Sequence, residues 1–157
     1  MMGTIKIIDY MDEKLISLNL NSKNKDDLLK EVTELISNSE KIRDKKEILD
    51  ALQKREQIGS TGIGKGVAIP HAKTEAAESL TIAFGLSKDM IDFKSLDSEK
   101  VNMFFIFASP LRDSQIYLKV LARISRLIRD EEFRKKIHRC QTPKDVIETI
   151  RAEEEGN

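Results

Sequence analysis

Two stretches of the chain, residues 80–86 and 101–108, are built almost wholly from Leu, Ile, Ala, Val, Met and Phe. Runs this short, rich in β-branched and aromatic side chains, read as buried central strands of a sheet. A third run, Val67-Ala68-Ile69, has the same character and is stopped by Pro70 just before His71. Such strands need cover, and the sequence offers amphipathic helices on either side of this apolar block.

From Lys25 onward, Leu28, Leu29, Val32, Leu35 and Ile36 recur at helical spacing, with Ser22 or Asn24 available as the N-cap. A second helix is expected from Asp44, with the stripe Ile48, Leu49 and Leu52, through Arg55 to an end at Gly59. Beyond the apolar block, Tyr117, Leu121, Ile124 and Ile128 share a helix face over about residues 114–128. Asp130 is expected to cap a short helix carrying Phe133 and Ile137. Thr142-Pro143-Lys144-Asp145 combines an N-cap, a proline at the first helical position and an acid three residues on, ahead of Val146, Ile147 and Ile150. Residues 5–20 read as a strand or an extended lead-in, and 153–157 as a frayed tail. No repeat, linker or low-complexity tract divides the chain. The expectation is one α/β sandwich over residues 5–152, with a central mixed β-sheet flanked by helices.

Composition narrows the function classes. There are 27 basic and 27 acidic side chains, so no basic excess draws the chain to nucleic acid or an anionic membrane. No apolar segment approaches bilayer length and residues 1–10 lack a signal-peptide pattern, which predicts a soluble cytoplasmic protein without membrane insertion. One cysteine, Cys140, excludes an internal disulfide, and with only two histidines no metal site is expected. His138 and Cys140 lie two apart on a predicted helix, hence on different faces. No cofactor is expected.

Residues 59–66 hold four glycines in eight positions, which predicts a loop with dihedrals closed to other residues. Gly59, Gly64 and Lys65 begin a nucleotide-binding P-loop pattern, but Gly66 stands where a hydroxyl must meet magnesium. A helix also precedes the loop and a strand follows it, the reverse of what a P-loop requires. What remains is a glycine loop beside a histidine held at a proline. An isolated histidine at a strand end is usually a structural, hydrogen-bonded one. This setting instead suits phosphohistidine chemistry, because neutral imidazole attacks phosphorus near pH 7 and still releases it. Such transfer relies on positioning and on N–H groups and cations around the peripheral oxygens. The loop offers the former and Arg55 the latter.

The run Arg55-Glu56-Gln57-Ile58-Gly59-Ser60-Thr61-Gly62-Ile63-Gly64-Lys65-Gly66-Val67-Ala68-Ile69-Pro70-His71 resembles the signature of fructose/mannitol-type enzyme IIA domains of the bacterial sugar phosphotransferase system. That family includes nitrogen-regulatory members, and the similarity in organisation extends over about residues 16–150. The resemblance implies a phosphotransferase component in which His71 is the phosphohistidine nucleophile and Arg55 binds phosphoryl oxygens. It also implies attack through Nε2, with the other ring nitrogen held by a backbone carbonyl. Ser60, Thr61, Gly62 and Gly64 are the expected phosphoryl-binding loop. The implied donor is an HPr-type phosphocarrier protein. The implied recipient is a IIB domain in sugar-transporting members, or a regulated transporter or kinase in nitrogen-type members.

Two positions depart from the family pattern. Many members carry a second histidine where this chain has Tyr117. Tyrosine can donate a hydrogen bond to a phosphoryl oxygen but shares no positive charge at neutral pH. Tyr117 reads equally as a packing residue with its hydroxyl at the site edge, or as the trace of a lost phosphotransfer activity. Ala72 stands where glycine is common, and Lys73 follows, as it often does in nitrogen-type members.

Overall fold

The computed structural model describes residues 5–156. Residues 1–4 of the chain start and Asn157 of the expected tail lie outside the described residues. Two 3-10 turns, Ile7–Tyr10 and Glu13–Leu15, lead into β1 (Ile16–Leu20), followed by α1 (Lys25–Ile36) and α2 (Lys45–Ile58). Three short strands come next, β2 (Gly62–Gly64), β3 (Val67–Ala68) and β4 (His71–Lys73), and then the long pair β5 (Thr81–Ile91) and β6 (Val101–Ser109). A 3-10 turn, Leu111–Asp113, opens the helical last third: α3 (Ser114–Arg129), α4 (Glu131–Arg139) and α5 (Pro143–Glu155).

The sheet is mixed, as the sequence led us to expect. Its order is β1-β5-β6-β3-β2, with β4 paired to β6 as well. β5 and β6 are antiparallel, β1 runs parallel to β5, and β3 and β4 run parallel to β6. Strand alternation sorts β6 into two layers. Phe105 and Phe107 pack with Tyr117, Val120 and Ile124 of α3 and with Phe133, Ile137, Val146 and Ile150 of α4 and α5. Phe104 and Ile106 pack on the opposite face with Leu28, Val32 and Ile36 of α1 and Ile48 and Leu52 of α2. Full burial of each of these aliphatic and aromatic side chains stabilises the fold by about 1.5–3 kcal/mol before entropy is counted.

The caps follow the sequence closely. Asn24, rather than Ser22, caps α1, its side chain accepting from the Asp27 amide at 2.8 Å. Thr142 and Asp145 exchange side-chain to backbone hydrogen bonds of 3.1 and 3.2 Å at the start of α5. Two stretches differ. Residues 5–15 form turns, with a strand only from Ile16. The tail expected to fray from Glu153 instead continues α5 through Glu155. The cause is Glu154, which is buried and accepts from Arg123 Nε at 2.8 Å and from the Ile7 and Ile8 amides at 2.9 and 3.3 Å. A carboxylate with three donors tolerates burial that an unpaired one does not.

Candidate functional site

β3 and β4 are successive segments along one edge of β6. Val67 and Ala68 pair with Met103 and Phe104, and His71, Ala72 and Lys73 pair with Phe107, Ala108 and Ser109. Between them Pro70 has no N–H to give, so the ladder breaks at Ile69-Pro70 and resumes at His71. His71 therefore opens a strand where the sequence suggested that one had just ended. The break turns the backbone of Ile69 to other partners: its N–H donates to the Thr61 carbonyl at 3.0 Å, and its carbonyl lies 2.9 Å from His71 Nδ1.

Those contacts fix the chemistry of the ring. A carbonyl only accepts, so Nδ1 carries the proton and Nε2 holds the lone pair. That lone pair faces Arg55, whose Nε–H donates to Nε2 at 3.1 Å while its Nη1 donates to the Gly59 carbonyl at 2.7 Å. Arg55 stands one turn from the end of α2, the helix that packs in the layer opposite Tyr117. Burial pushes the imidazole pKa below its ordinary value. The Ile69 carbonyl pulls the other way, and the positive charge of Arg55 adds to the lowering. With its pKa held below the ordinary value, the His71 ring is neutral at physiological pH.

Tyr117 completes the group from α3. Its ring is 5.7 Å from the His71 ring and stands edge-on to Phe107 at 5.3 Å. It is 5% exposed, so it is a packing residue that also forms one wall of the site. Burial raises its phenol pKa, and the Arg55 charge opposes that rise. Ala72 is buried among the α1 and α2 side chains, on the face of β4 away from His71. The methyl that replaces the family's usual hydrogen there never meets the site.

The expected loop is a β-hairpin, with β2 antiparallel to β3. Gly64, Lys65 and Gly66 turn it with φ of 99°, 59° and 80°, a left-handed run that the two glycines make accessible. The Lys65 amide is tied to Asp97 at 2.9 Å. The hydroxyls expected to hold phosphoryl oxygens serve the hairpin itself. Ser60 Oγ donates to the Phe93 carbonyl and accepts from the Gly62 amide at 3.0 Å. Thr61 gives its hydroxyl to Glu56, and its amide donates to the same carboxylate at 3.1 Å. Ser60, Thr61 and the Gly62 amide are thereby engaged inside the loop, while His71, Arg55 and Tyr117 converge.

Glu56 is a further residue of the site's support, and its signal in the sequence is the four-residue spacing from Ile48 and Leu52 that puts it on their buried stripe. Its other partner is Lys25 Nζ at 2.8 Å, which also lies 4.6 Å over the Phe93 ring. Among the described residues no group of three or more His, Cys, Asp or Glu side chains is placed to hold a metal. His138 is exposed, and Cys140 Sγ contacts Thr149 Oγ1 at 3.5 Å. No helix among the described residues is long and apolar enough to cross a membrane.

The structure thus sets a neutral imidazole against a guanidinium at the edge of an α/β sheet, and comparison with known proteins gives the family. Residues 9–153 match the family described as Phosphoenolpyruvate-dependent sugar phosphotransferase system, EIIA 2, and the chain belongs to that family. It is 35% identical over 146 residues to the PTS system fructose-specific EIIABC component of Bacillus subtilis (strain 168), covering 93% of this chain and 23% of that protein. It is also 35% identical over 138 residues to the Nitrogen regulatory protein of Bradyrhizobium diazoefficiens, covering 87% of each. The crystal structure of Nitrogen Regulatory Protein IIA-Ntr from Neisseria meningitidis superposes with a TM-score of 0.86 at 25% identity, over 92% of this chain and 98% of that one.

Proposed function

We propose that the protein is a phosphocarrier that accepts a phosphoryl group on His71 Nε2 from an HPr-type phosphocarrier protein and passes it to a IIB domain of the fructose/mannitol type. The observation that carries this reading is the polarised imidazole: Nδ1–H held by Ile69 at 2.9 Å, and the Nε2 lone pair directed at Arg55 at 3.1 Å. Attack forms the Nε2–P bond as the bond from phosphorus to the donor breaks, and the donor keeps that electron pair. No proton has to leave His71 first, because the lone pair is already on Nε2. Arg55 gives up its hydrogen bond to Nε2 as phosphorus arrives and turns its N–H groups to the phosphoryl oxygens. Onward transfer is the reverse at the same nitrogen, and the Bacillus relative's name joins A, B and C parts in one protein.

A second reading is supported by the nitrogen-regulatory relative and by Lys73. In it the protein is a nitrogen-type IIA whose phosphorylation state governs binding to a transporter or sensor kinase. Incubation with phosphoenolpyruvate, enzyme I and HPr should add one acid-labile phosphoryl group, absent from His71→Ala. No mass gain with active donors would refute the carrier reading. Capture of a partner in equal amounts by wild type and His71→Glu would refute the switch.

A further inference from the structure

Resting on phosphotransfer at His71, we propose that Lys73 supplies the second cation for the phosphoryl group, the charge that Tyr117 cannot provide. Strand alternation places it there. Along β4, His71 is half-buried, Ala72 buried and Lys73 exposed, so the first and third share a face. Their Cα atoms are about 7 Å apart, two strand residues, within the span of a lysine side chain. Lys73 Nζ lies 5.3 Å from the centre of the Tyr117 ring, and that ring lies 5.7 Å from His71. The ammonium and the imidazole thus flank one aromatic wall.

Lys73 is one of several lysines left without an ion-pair partner among the described residues, and its place beside His71 and the Tyr117 ring is what sets it apart. Lys14, Lys23, Lys25, Lys45, Lys54, Lys94, Lys135, Lys136 and Lys144 each have a carboxylate within ion-pair distance. Among the described residues Lys73 has none, and Arg55 donates only to the neutral acceptors His71 Nε2 and the Gly59 carbonyl. Two cations without counter-charges therefore face one neutral nucleophile. That arrangement is unfavourable for a cation at Nε2 and favourable for a dianionic group. At rest Lys73 leans on the Tyr117 ring, a weak cation–π contact that is readily exchanged for a phosphoryl oxygen.

The test is single-turnover phosphorylation from phosphorylated HPr, followed by mass spectrometry, for wild type, Lys73→Met, Lys73→Arg, Tyr117→His and the Tyr117→His/Lys73→Met double variant. Lys73→Met should slow the transfer step at saturating HPr by about tenfold, less than a fully buried donor because Lys73 is exposed. Lys73→Arg should recover most of the rate. In the Tyr117→His background the Lys73→Met change should cost under about threefold, since an imidazole then shares the charge. A Lys73→Met rate equal to wild type overturns the proposal, as does a defect confined to the KM for HPr, which would make Lys73 a partner contact. A wild type that accepts no phosphoryl group removes the carrier reading itself, and the proposal with it.

Discussion

Replacing Glu56 with alanine should loosen the site from beneath without touching His71. The Glu56 side chain is 5% exposed and its ion-pair partner Lys25 is 21% exposed, with 2.8 Å between charged atoms. Breaking a buried pair costs about 3–5 kcal/mol; Lys25 can regain some water, so the lower end, about 3 kcal/mol, applies. That is a large part of the 5–15 kcal/mol typical of a domain, and it corresponds to a fall in Tm of about 6–12 °C. Glu56→Gln keeps one acceptor oxygen for the Thr61 amide and lets the Thr61 hydroxyl accept from the new NH2 group, so it should cost less than Glu56→Ala by roughly 1 kcal/mol. The local effect runs along a chain of bonds: Glu56 holds the Thr61 amide at 3.1 Å, the Thr61 carbonyl holds the Ile69 amide at 3.0 Å, and the Ile69 carbonyl holds His71 Nδ1 at 2.9 Å. Urea unfolding gives the global cost, and hydrogen exchange at the Thr61 and Ile69 amides gives the local one. If Glu56→Ala lost less than about 1 kcal/mol and left both amides as protected as before, the reasoning would be refuted.

Arg55→Met should lower the rate of His71 phosphorylation by about 10²–10³, with Arg55→Lys recovering little because one ammonium cannot span the positions a guanidinium reaches; single-turnover transfer from phosphorylated HPr measures both. Stability should also depend on pH through His71. Its folded pKa is below the unfolded value near 6.5, so the unfolded chain binds more protons as pH falls below about 6.5. Stability is therefore unaffected above that pH and lost as pH drops through the folded pKa. Burial and the Arg134 charge lower the His138 pKa as well, so only part of the acid slope should vanish in His71→Gln. Denaturant titrations of both proteins between pH 7 and 5 measure it, and equal slopes would contradict the depressed imidazole.

Much of the fold was legible because local signals and tertiary demands agree in it. The capping box at Thr142, the N-cap at Asn24 and the apolar stripe of α3 each emerge where the residues themselves specify them. The apolar run at 80–86 marks a strand, and the strand extends beyond it. β5 continues through exposed Lys88, Asp89 and Met90 to Ile91, because pairing with β6 at Val101 holds a stretch whose own composition is polar. The hairpin of β2 and β3 was hidden by its glycines, which carry no side-chain pattern to show alternation. The helical tail carries no local signal, because what orders it is Glu154 meeting Arg123 and two amides far away in sequence. At the site, His71, Arg55 and Tyr117 were named from the sequence, and the structure brings them together. The roles of Ser60 and Thr61 needed coordinates, since a hydroxyl in a glycine-rich stretch looks the same whether it faces a ligand or a neighbouring carboxylate.

Nitrogen-15 and phosphorus-31 NMR of the ring-labelled, phosphorylated protein reports which nitrogen bears phosphorus. The geometry predicts a single phosphoryl group coupled to Nε2 of His71, with the proton still on Nδ1. Phosphorus on Nδ1, or on any other residue, would contradict the account.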